Sequence, residues 1–397
     1  MRFLFFLSYL WRQMQKVSTI GIIGGGQLGK MLIEEGIRYN VRFHTLDPDA
    51  ASPAQPISNL HIVGSLYDAD KIKELASQAD VLTYEIEHIN IDVLHELEAA
   101  GKLLIPSPKI LEIVQDKGLQ KQFYKDNEIP TAPFVIVNNK VEWKDAITQN
   151  GFTKFAAKLC KGGYDGKGVV LMNATEVLND AVAIPFEEPT MLEAFVENEK
   201  EISIIVARNL QGEVACFDAV EMEFDAVANL VTYLKCPATL TTEVHNQAKA
   251  IATQLIEKMN GFGIFAIEMF VTPDGQVIVN EMAPRPHNSG HHTIEACYTS
   301  QYEQLIRVLL NKPLGNTGII QPSAMMNVLG AANFSGTYKL QYEEELLRMP
   351  GVYIHMYGKA ESKPMRKLGH ITVMASTEEE LKEKAEKVMG MLGVVSV

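Results

Sequence analysis

Residues 264–292 read IFAIEMFVTPDGQVIVNEMAPRPHNSGHH. The first part predicts a β-hairpin, because two apolar strands flank an Asp274-Gly275 pair that suits a tight two-residue turn. Such a turn places Glu268 opposite Glu281, where like charges about 5 Å apart are destabilising. A cation between them would relieve the repulsion, and oxygen ligands without thiolates favour Mg²⁺. The alternative is a pair of glutamates on a partly solvated hairpin.

A histidine-rich loop follows the hairpin directly. His287, His291 and His292 are of a residue type that binds zinc, copper and iron. Pro284 and Pro286 prevent a regular helix with His287 and His291 on one face. We therefore expect this loop to form hydrogen bonds with a polar substrate.

The composition is that of an ordinary globular protein with an acidic balance. The chain has 397 residues, 47% hydrophobic and 21% charged, with a formal net charge of -13. This length allows two or three domains. The charge argues against a general nucleic-acid or anionic-membrane surface, so a small anionic substrate would need a local basic pocket. The 4 cysteines are scattered, which favours a reduced, cytoplasmic protein over a disulfide scaffold or a zinc site.

Residues 1–16 stand apart from the rest of the chain. Residues 3–11 form an apolar run after Arg2 that resembles part of a signal peptide, but the run is too short to span a bilayer. No small-residue cleavage site follows it. We expect residues 1–16 to be an extension outside the folded core, with Met14 opening the natural chain, and export is the less favoured alternative.

A glycine loop follows the first predicted strand. Residues 18–23 predict a buried parallel strand, Gly24, Gly26 and Gly29 follow at the spacing of a dinucleotide fingerprint, and Asp47 closes the next strand. Taken alone, this pattern favours an NAD enzyme. The physical argument is less specific, since N–H groups at a helix N-terminus favour an anion of some kind. A close strand-to-helix turn without a ligand is the other alternative.

A second glycine-rich segment lies between two predicted strands. Lys158 belongs to the first of them, and residues 162–168 contain four glycines. Because glycine lowers stability unless its freedom is needed, this density favours a flap that closes over phosphates by backbone contact. Lys158 is well placed to reach a phosphate as a point charge. A plain hairpin turn is the alternative.

Two weaker signals complete the candidate sites. Residues 193–196 end a strand whose backbone could offer an adenine one N–H and one C=O, with Glu201 near the ribose, although a glutamate at a strand end is usually only solvated. Further on, a basic cluster lies between two predicted strands, where it indicates a solvated loop or a phosphate site. Its members are Lys359, Lys363, Arg366 and Lys367.

Predicted elements and proline residues that interrupt them divide the chain into three parts. Strands alternate with helices over residues 17–108, which predicts an α/β domain with right-handed connections. A mixed α+β region follows over residues 109–318, opening with a helix from 109 to 127 and containing a flap lobe at about 131–192. Residues 319–397 predict a small β-rich domain.

The order of these features resembles the ATP-grasp superfamily, in which two α+β lobes hold Mg-ATP between them. Within it, four motifs are similar to those of the 5-(carboxyamino)imidazole ribonucleotide synthase family, and the resemblance covers about residues 17–397. They are GGQLGKM at 25–31, IPTAPF at 129–134, GGYDGKG at 162–168 and NEMAPRPHNSGH at 280–291. The last two are highly specific, since we do not expect them in biotin carboxylases or the formate-dependent glycinamide ribonucleotide transformylase, which share the ATP machinery.

The resemblance implies a fold and a reaction. The fold is a Rossmann-like pre-ATP-grasp domain, a central ATP-grasp domain and a small C-terminal β-rich domain. The reaction belongs to purine (IMP) biosynthesis: ATP, bicarbonate and 5-aminoimidazole ribonucleotide give the N-carboxylated product, ADP and phosphate through carboxyphosphate. The cofactors implied are ATP and Mg²⁺, with two ions. A cytoplasmic homodimer that passes its product to a separate mutase, without nucleic-acid or membrane partners, is also implied.

The resemblance also implies roles for individual residues. The metal ligands would be Glu268 and Glu281. The catalytic residues would be Asp165, Lys167, Arg285, His287 and Asn288. ATP would be bound by Lys117, Lys158, Gly162, Gly163, Tyr164, Asp165, Gly166, Lys167, Gly168, Glu193, Ala194, Phe195, Val196, Glu201, Asn280 and Glu281. The ribonucleotide would be bound by Gly26, Gln27, Leu28, Tyr164, Asp165, Lys167, Arg285, His287, Ser289, Lys359 and Arg366.

One departure and two rival functions stay open. Many relatives carry a histidine in a Val-Glu-Asn-x-His run, whereas residues 220–224 here read VEMEF, so a role of that histidine toward the nucleotide is in doubt. An NAD-linked oxidoreductase built on the first glycine loop leaves Glu268, Glu281 and the second glycine segment unexplained. Another ATP-grasp ligase, such as a glycinamide ribonucleotide transformylase, is the second rival.

Overall fold

The first domain is a parallel sheet covered by helices. The computed structural model describes residues 17–163, 168–224 and 231–397. The strands of this sheet are β1 (Thr19–Ile23), β2 (Arg42–Asp47), β3 (Leu60–Val63), β4 (Val81–Tyr84) and β5 (Leu103–Leu104). They lie in the order β3-β2-β1-β4-β5, all parallel. Because β1 lies between β2 and β4, the loops that leave these three strands meet at one edge of the sheet.

Helices on both faces bury the apolar strands of this sheet. They are α1 (Gln27–Gly36), α2 (Ala69–Ser77) and α3 (Ile91–Ala99). Asp68 and Asn90 cap α2 and α3 by accepting hydrogen bonds from main-chain N–H groups of the first turn, which satisfies donors that a helix otherwise leaves unpaired. The α/β architecture expected for this part of the chain is confirmed.

A small antiparallel lobe follows. Two helices lead into it, α4 (Pro108–Gln115) and α5 (Lys117–Asp126). The lobe contains β6 (Phe134–Val137), α6 (Trp143–Asn150), β7 (Lys154–Leu159), β8 (Val169–Asn173), α7 (Ala174–Leu178) and β9 (Thr190–Ala194). The strand order is β6-β9-β7-β8. Trp143 and Phe155 fill the core beneath this sheet with their rings edge to face at 6.3 Å.

The remaining elements build a region that contains one large sheet, several helices and a separate pair of strands. Its first part consists of β10 (Lys200–Arg208), β11 (Val214–Cys216), β12 (Val220–Phe224), β13 (Val231–Cys236), α8 (Thr242–Met259), β14 (Gly263–Val271), β15 (Val277–Ala283), α9 (Thr293–Ala296) and α10 (Gln301–Leu309). Its second part consists of β16 (Ser323–Leu329), β17 (Tyr338–Leu340), α11 (Glu343–Leu347), β18 (Val352–Met356), β19 (Lys367–Met374), α12 (Glu378–Met389) and β20 (Val394–Ser396).

This sheet crosses from the central region into the C-terminal one. Its strand order is β15-β14-β10-β12-β13-β16-β19-β18, with β11 paired to β10, while β17 and β20 form a separate pair. Strand β13 pairs with β16, so main-chain hydrogen bonds join the two regions. Helix α10 packs against α1 of the first domain. The three parts therefore share packed interfaces.

Two details differ from the sequence prediction. The single helix expected over residues 109–127 is two helices, because Asp116 is extended and its carboxylate caps α5 by accepting from the N–H groups of Gly118 and Leu119. Strand β3 was not predicted, since its four residues, Leu-His-Ile-Val, carry little periodic signal.

None of the helices in the described ranges is long and apolar enough to cross a lipid bilayer.

Candidate functional site

The β14–β15 hairpin brings two carboxylates face to face. Glu268 pairs with Glu281, which confirms the expected pairing. The expected two-residue turn is wrong: the N–H of Thr272 donates to the carbonyl of Gln276 at 3.0 Å, so the loop has three residues. The Thr272 hydroxyl accepts from the Gln276 N–H at 2.9 Å and stabilises this wider loop. A register shift at Asn280 then restores the pairing, because it adds one residue to β15.

The two glutamates differ in their electrostatic surroundings. Burial and the neighbouring charge of Glu281 raise the pKa of Glu268. The ammonium group of Lys117 contacts Glu281 and lowers the pKa of that carboxyl. Lys117 is the first residue of α5, and its N–H donates to the Cys160 carbonyl at 2.8 Å. The helix start therefore places a cation beside the carboxylate pair.

A second group of charges lies next to the first. The Lys158 ammonium contacts Glu193 at 2.5 Å and Asn280 at 3.0 Å. Glu193 also contacts Lys121, and these two side chains are only 4% and 3% exposed. Burial lowers the pKa of Lys121 to about 8. The Glu193 carboxylate thus forms ion pairs with two lysines, and one of them, Lys158, also contacts Asn280 of the carboxylate hairpin.

The segment predicted to hold adenine lies at the end of β9. The N–H groups of Ala194 and Phe195 donate to the carbonyls of Pro133 and Lys154, at 2.8 and 3.0 Å. The first N–H beyond these two belongs to Val196. Glu201 lies in β10, where burial raises the pKa of its carboxyl. The Glu193 carboxylate contacts Lys121 and Lys158, so an adenine here would contact the main chain of this segment.

The histidine loop folds back toward Glu268. The Nε2 atom of His287 lies 3.6 Å from Glu268, and its Nδ1 atom accepts from the Ser289 N–H at 3.3 Å. A neutral imidazole that accepts at Nδ1 carries its proton on Nε2. Burial lowers the pKa of His287 to about 3, so the ring is neutral at pH 7. His287 therefore presents an N–H donor toward the hairpin.

Hydrogen bonds with Gln301 and Ser203 fix the main chain of this loop. The Gln301 side chain accepts from the N–H of His287 at 2.9 Å and donates to its carbonyl at 2.8 Å. The Ser289 hydroxyl is hydrogen-bonded to that of Ser203 on β10 at 2.8 Å. Gln301 and Ser203 are fully buried. The main chain that carries His287 is therefore held from two directions.

Two further loop residues carry buried polar atoms without partners among the described residues. They are both amide atoms of Asn288 and the Nε atom of Arg285. The terminal nitrogen Nη2 of Arg285 contacts Glu87 of the first domain at 3.0 Å. Buried polar groups are normally hydrogen-bonded. These atoms are consistent with a polar ligand that completes the site, as expected from the sequence.

The glycine loop at 24–29 is occupied by carboxylates of the protein itself. Glu85, just after β4, accepts from the N–H groups of Gly26 and Gly29 at 2.5 and 2.8 Å. Asp47 accepts from the N–H of Gly25 at 2.7 Å. The loop does favour an anion, but Glu85 supplies it. A ligand phosphate would have to use Gln27 and Leu28 or displace Glu85, and an NAD pyrophosphate loses the donors that its fingerprint requires.

The basic cluster points only in part toward the site. The Lys359 ammonium donates to the Lys367 carbonyl at 2.7 Å, and Arg366 donates to the Glu361 carbonyl at 2.8 Å. The charge of Lys367 contributes to the lowered pKa of His287 and opposes part of the rise in the pKa of Glu268, which places Lys367 near both groups. The role predicted for Lys359 and Arg366 as phosphate contacts remains a prediction.

Several predicted residues lie outside the described ranges. They are Tyr164, Asp165, Gly166 and Lys167 of the flap. Of the flanking glycines, Gly162 and Gly168 adopt positive φ angles of +80° and +79°, which favour glycine. Phe224, the last residue of the VEMEF run in question, ends β12 at the boundary of a described range. Residues 1–16 also lie outside these ranges.

Three charged residues near the site were not predicted from the sequence, Glu85, Glu87 and Lys121, and Lys367 was predicted only as a member of the basic cluster. Lys121 follows Lys117 by four positions, so helical spacing on one face could have indicated it. Lys367 is a neighbour of the predicted Arg366. Glu85 and Glu87 follow β4, and only the adjacency of β4 to β1 brings them to the glycine loop and to Arg285.

The hairpin fits Mg²⁺ with few protein ligands. No group of three or more metal-binding side chains occurs within the described ranges. Glu268 and Glu281 offer opposed carboxylates. Mg²⁺ in nucleotide sites is usually held by one or two carboxylates, together with waters and phosphate oxygens. The donor set present is therefore of the kind that this ion takes with a nucleotide.

Comparisons with known proteins cover nearly the whole chain. Residues 17–115 match a ribonucleotide synthetase preATP-grasp domain, 122–302 an ATP-grasp domain and 323–384 a phosphoribosylaminoimidazole carboxylase C-terminal domain. The N5-carboxyaminoimidazole ribonucleotide synthase of Bacillus subtilis is 37% identical over 91% of this chain and 93% of its own length.

Solved structures give the same result. The N5-carboxyaminoimidazole ribonucleotide synthetase of Thermotoga maritima is 41% identical with a TM-score of 0.86, covering 96% of this chain and 100% of that one. The Aspergillus clavatus synthase, solved with ADP and 5-aminoimidazole ribonucleotide, is 30% identical with a TM-score of 0.85, covering 96% and 99%. The chain therefore belongs to the N5-carboxyaminoimidazole ribonucleotide synthase family of ATP-grasp ligases.

Proposed function

We propose that this protein uses ATP and bicarbonate to carboxylate the exocyclic amine of 5-aminoimidazole ribonucleotide, releasing ADP and phosphate. The observation that carries the proposal is the junction of two sites on one segment. Glu268 and Glu281 lie opposite each other beside Lys117, and the loop that continues the strand presents His287 toward Glu268. A phosphate donor and its acceptor would meet at this junction.

The first half of the reaction is transfer of the γ-phosphoryl group to bicarbonate. Lys117 and Lys158 would contact the phosphates, residues 193–196 the adenine and Glu201 the ribose. Mg²⁺, held by Glu268 and Glu281, would neutralise charge on the phosphate oxygens. In such transfers the protein contributes positioning and electrostatic stabilisation rather than covalent chemistry. Rigid supports for both lysines, through the start of α5 and through Glu193, suit this task.

The second half is capture of the activated carboxyl group by the amine. Bicarbonate attack on the γ-phosphorus forms carboxyphosphate and ADP. The amine nitrogen then bonds to the carboxyl carbon, phosphate leaves with the C–O bond electrons, and the amine loses a proton. The neutral His287 would donate its Nε2 hydrogen to an oxygen of bicarbonate or carboxyphosphate. Arg285 and Asn288 would bind the same anion through their unpartnered atoms.

The flap residues complete the proposal. By motif position, Asp165 would contact the amine, with Tyr164 and Lys167 facing the imidazole and Gly162, Gly163, Gly166 and Gly168 closing over the phosphates. Ser289 would bind the ribonucleotide beside His287. Gly26, Gln27, Leu28, Lys359 and Arg366 are the proposed contacts of its phosphate. A closed flap would keep water away from the labile carboxyphosphate.

Release of ADP in the presence of defined sets of substrates tests this proposal. Purified protein with ATP, Mg²⁺ and bicarbonate should release ADP rapidly only when 5-aminoimidazole ribonucleotide is added, and labelled bicarbonate should enter an acid-labile product. Glycinamide ribonucleotide with formate is the control for the rival ligase. Turnover with that pair instead, or no dependence on the aminoimidazole, would refute the proposal.

The assembly and pathway expectations rest on the resemblance alone. We propose a cytoplasmic homodimer whose product is rearranged by a separate mutase. Sedimentation of the purified protein at micromolar concentration should give twice the mass of the chain. A monomer under those conditions would contradict the assembly while leaving the reaction untouched.

A further inference from the structure

An ammonium group contacts one of the two carboxylates that the proposed function takes as metal ligands. Lys117 contacts Glu281, which lies directly opposite Glu268. Two opposed carboxylates on paired strands repel each other unless a positive charge accompanies them. Lys117 supplies such a charge.

The position of Lys117 is set by its surroundings. Asp116 accepts from the N–H groups of Gly118 and Leu119 and so fixes the start of α5. The N–H of Lys117 donates to the Cys160 carbonyl at the end of β7. The side chain is 24% exposed. The main chain is anchored, while the ammonium group can change partners by side-chain rotation.

The neighbouring lysines have a different carboxylate. Lys158 and Lys121 both contact Glu193, which is more deeply buried than Glu281. When a nucleotide arrives, Lys158 can reach a phosphate without leaving Glu193 uncompensated, because Lys121 remains. Among the described residues, Lys117 is the lysine in contact with Glu281, and Lys158 acts on that carboxylate only as a smaller charge effect. If Lys117 turned to a phosphate, Glu281 would lose its contacting cation.

We propose that Lys117 stands in for the divalent cation in the nucleotide-free protein, so that the metal binds strongly only together with the nucleotide. This inference rests on the proposed function, since it takes the hairpin as the metal site. A metal arriving alone must displace the ammonium group from Glu281, its ion-pair partner, and leave it with the weaker influence of Glu87. A metal arriving with a nucleotide brings phosphate oxygens, which accept the displaced ammonium. Lys117 thereby couples the binding of metal and nucleotide.

Binding of Mn²⁺ without nucleotide tests the inference directly. Free Mn²⁺ is measured by electron paramagnetic resonance as the protein is titrated. A competing ion pair worth about 1.4 kcal/mol weakens binding about tenfold. We therefore expect Lys117→Met to bind Mn²⁺ about tenfold more tightly than the wild type. With ADP present, the wild type should bind Mn²⁺ tightly.

Matched variants separate this effect from a change in net charge. Lys109→Met removes an equal charge from a lysine that is 66% exposed on α4 and pairs with Glu112, so it should bind as the wild type does. Lys117→Arg keeps a cation and should also bind Mn²⁺ weakly. Adding Glu281→Gln to Lys117→Met should abolish the gain. Circular dichroism checks folding, and Lys117→Gln replaces the methionine variant if the latter does not fold.

Two results would overturn the inference. One is equal Mn²⁺ affinity of the folded Lys117 variant and Lys109→Met in the absence of nucleotide. The other is wild-type protein that binds Mn²⁺ as tightly without ADP as with it. Neither measurement includes bicarbonate or the aminoimidazole. Failure of the carboxylation assay would therefore refute the proposed function separately, and the comparison of Mn²⁺ affinities would still test this inference.

Discussion

Replacement of Lys121 by methionine tests how the buried charges beneath the site stabilise the fold. Lys121 and Glu193 are 3% and 4% exposed, and Lys121 also donates to the Thr131 hydroxyl at 2.6 Å and the Val279 carbonyl at 3.1 Å. Methionine has a similar length but no charge. Lys121→Met therefore removes the cation with little change in packing volume.

The expected loss follows from what remains around Glu193. Removing one partner of a buried ion pair costs 3–5 kcal/mol, since the other charge is left uncompensated. Glu193 keeps Lys158 at 2.5 Å, and the Val279 carbonyl keeps the Thr131 hydroxyl at 3.0 Å. The cost should therefore lie at the lower end of the range, about 3 kcal/mol in the free energy of unfolding.

Urea denaturation at pH 7 measures this value. The control is Lys109→Met, which removes an exposed lysine that contacts Glu112 at 2.8 Å on the preceding helix. An exposed pair contributes about 0.5 kcal/mol. Fluorescence and circular dichroism transitions must coincide for the free energies to be comparable. A difference below about 1 kcal/mol between the two variants would refute the account of Glu193 as a buried charge that Lys121 stabilises.

Three further changes have defined outcomes. Asp116→Ala removes the cap of α5 and should cost about 1 kcal/mol of stability in urea denaturation; an unchanged midpoint would contradict this. Gln301→Met releases the main chain of His287, so steady-state assays should show kcat falling about 100-fold with little change in the KM for ATP; equal effects on both constants would argue against a positioning role. Burial lowers the pKa of His292 to about 4, below its ordinary value of 6.5, so stability should be complete above pH 6.5 and fall as the pH drops toward 4. Urea midpoints at pH 7.5 and 5 check this fall, which should be smaller in His292→Asn.

The sequence predicted those features that depend on residues only a few positions apart. The opposition of Glu268 and Glu281 could be predicted because strand alternation and turn residues act within a few positions. The turn itself could not, since Thr272 selects a wider loop through a side-chain hydrogen bond and Asn280 adds the compensating residue. Two local errors cancelled, and the pairing was correct.

The remaining parts of the site depend on contacts between distant segments. Glu85 reaches Gly26 across 59 positions, and nothing in the glycine loop indicates that a carboxylate of the protein will occupy it. Lys367 approaches His287 only because the C-terminal strands join the central sheet. The family could be identified from motifs, whereas these long-range partners required the fold.

The continuity of the large sheet has a consequence for the boundary between its central and C-terminal parts. Strand β13 pairs with β12 on one side and with β16 on the other. A chain cut between residues 318 and 319 would expose the main-chain N–H and C=O groups of β13 as an open edge. Exposed edges of this kind pair with other chains and promote aggregation. The C-terminal region thus protects an edge of the catalytic domain, and a shortened protein would need another cover for that strand.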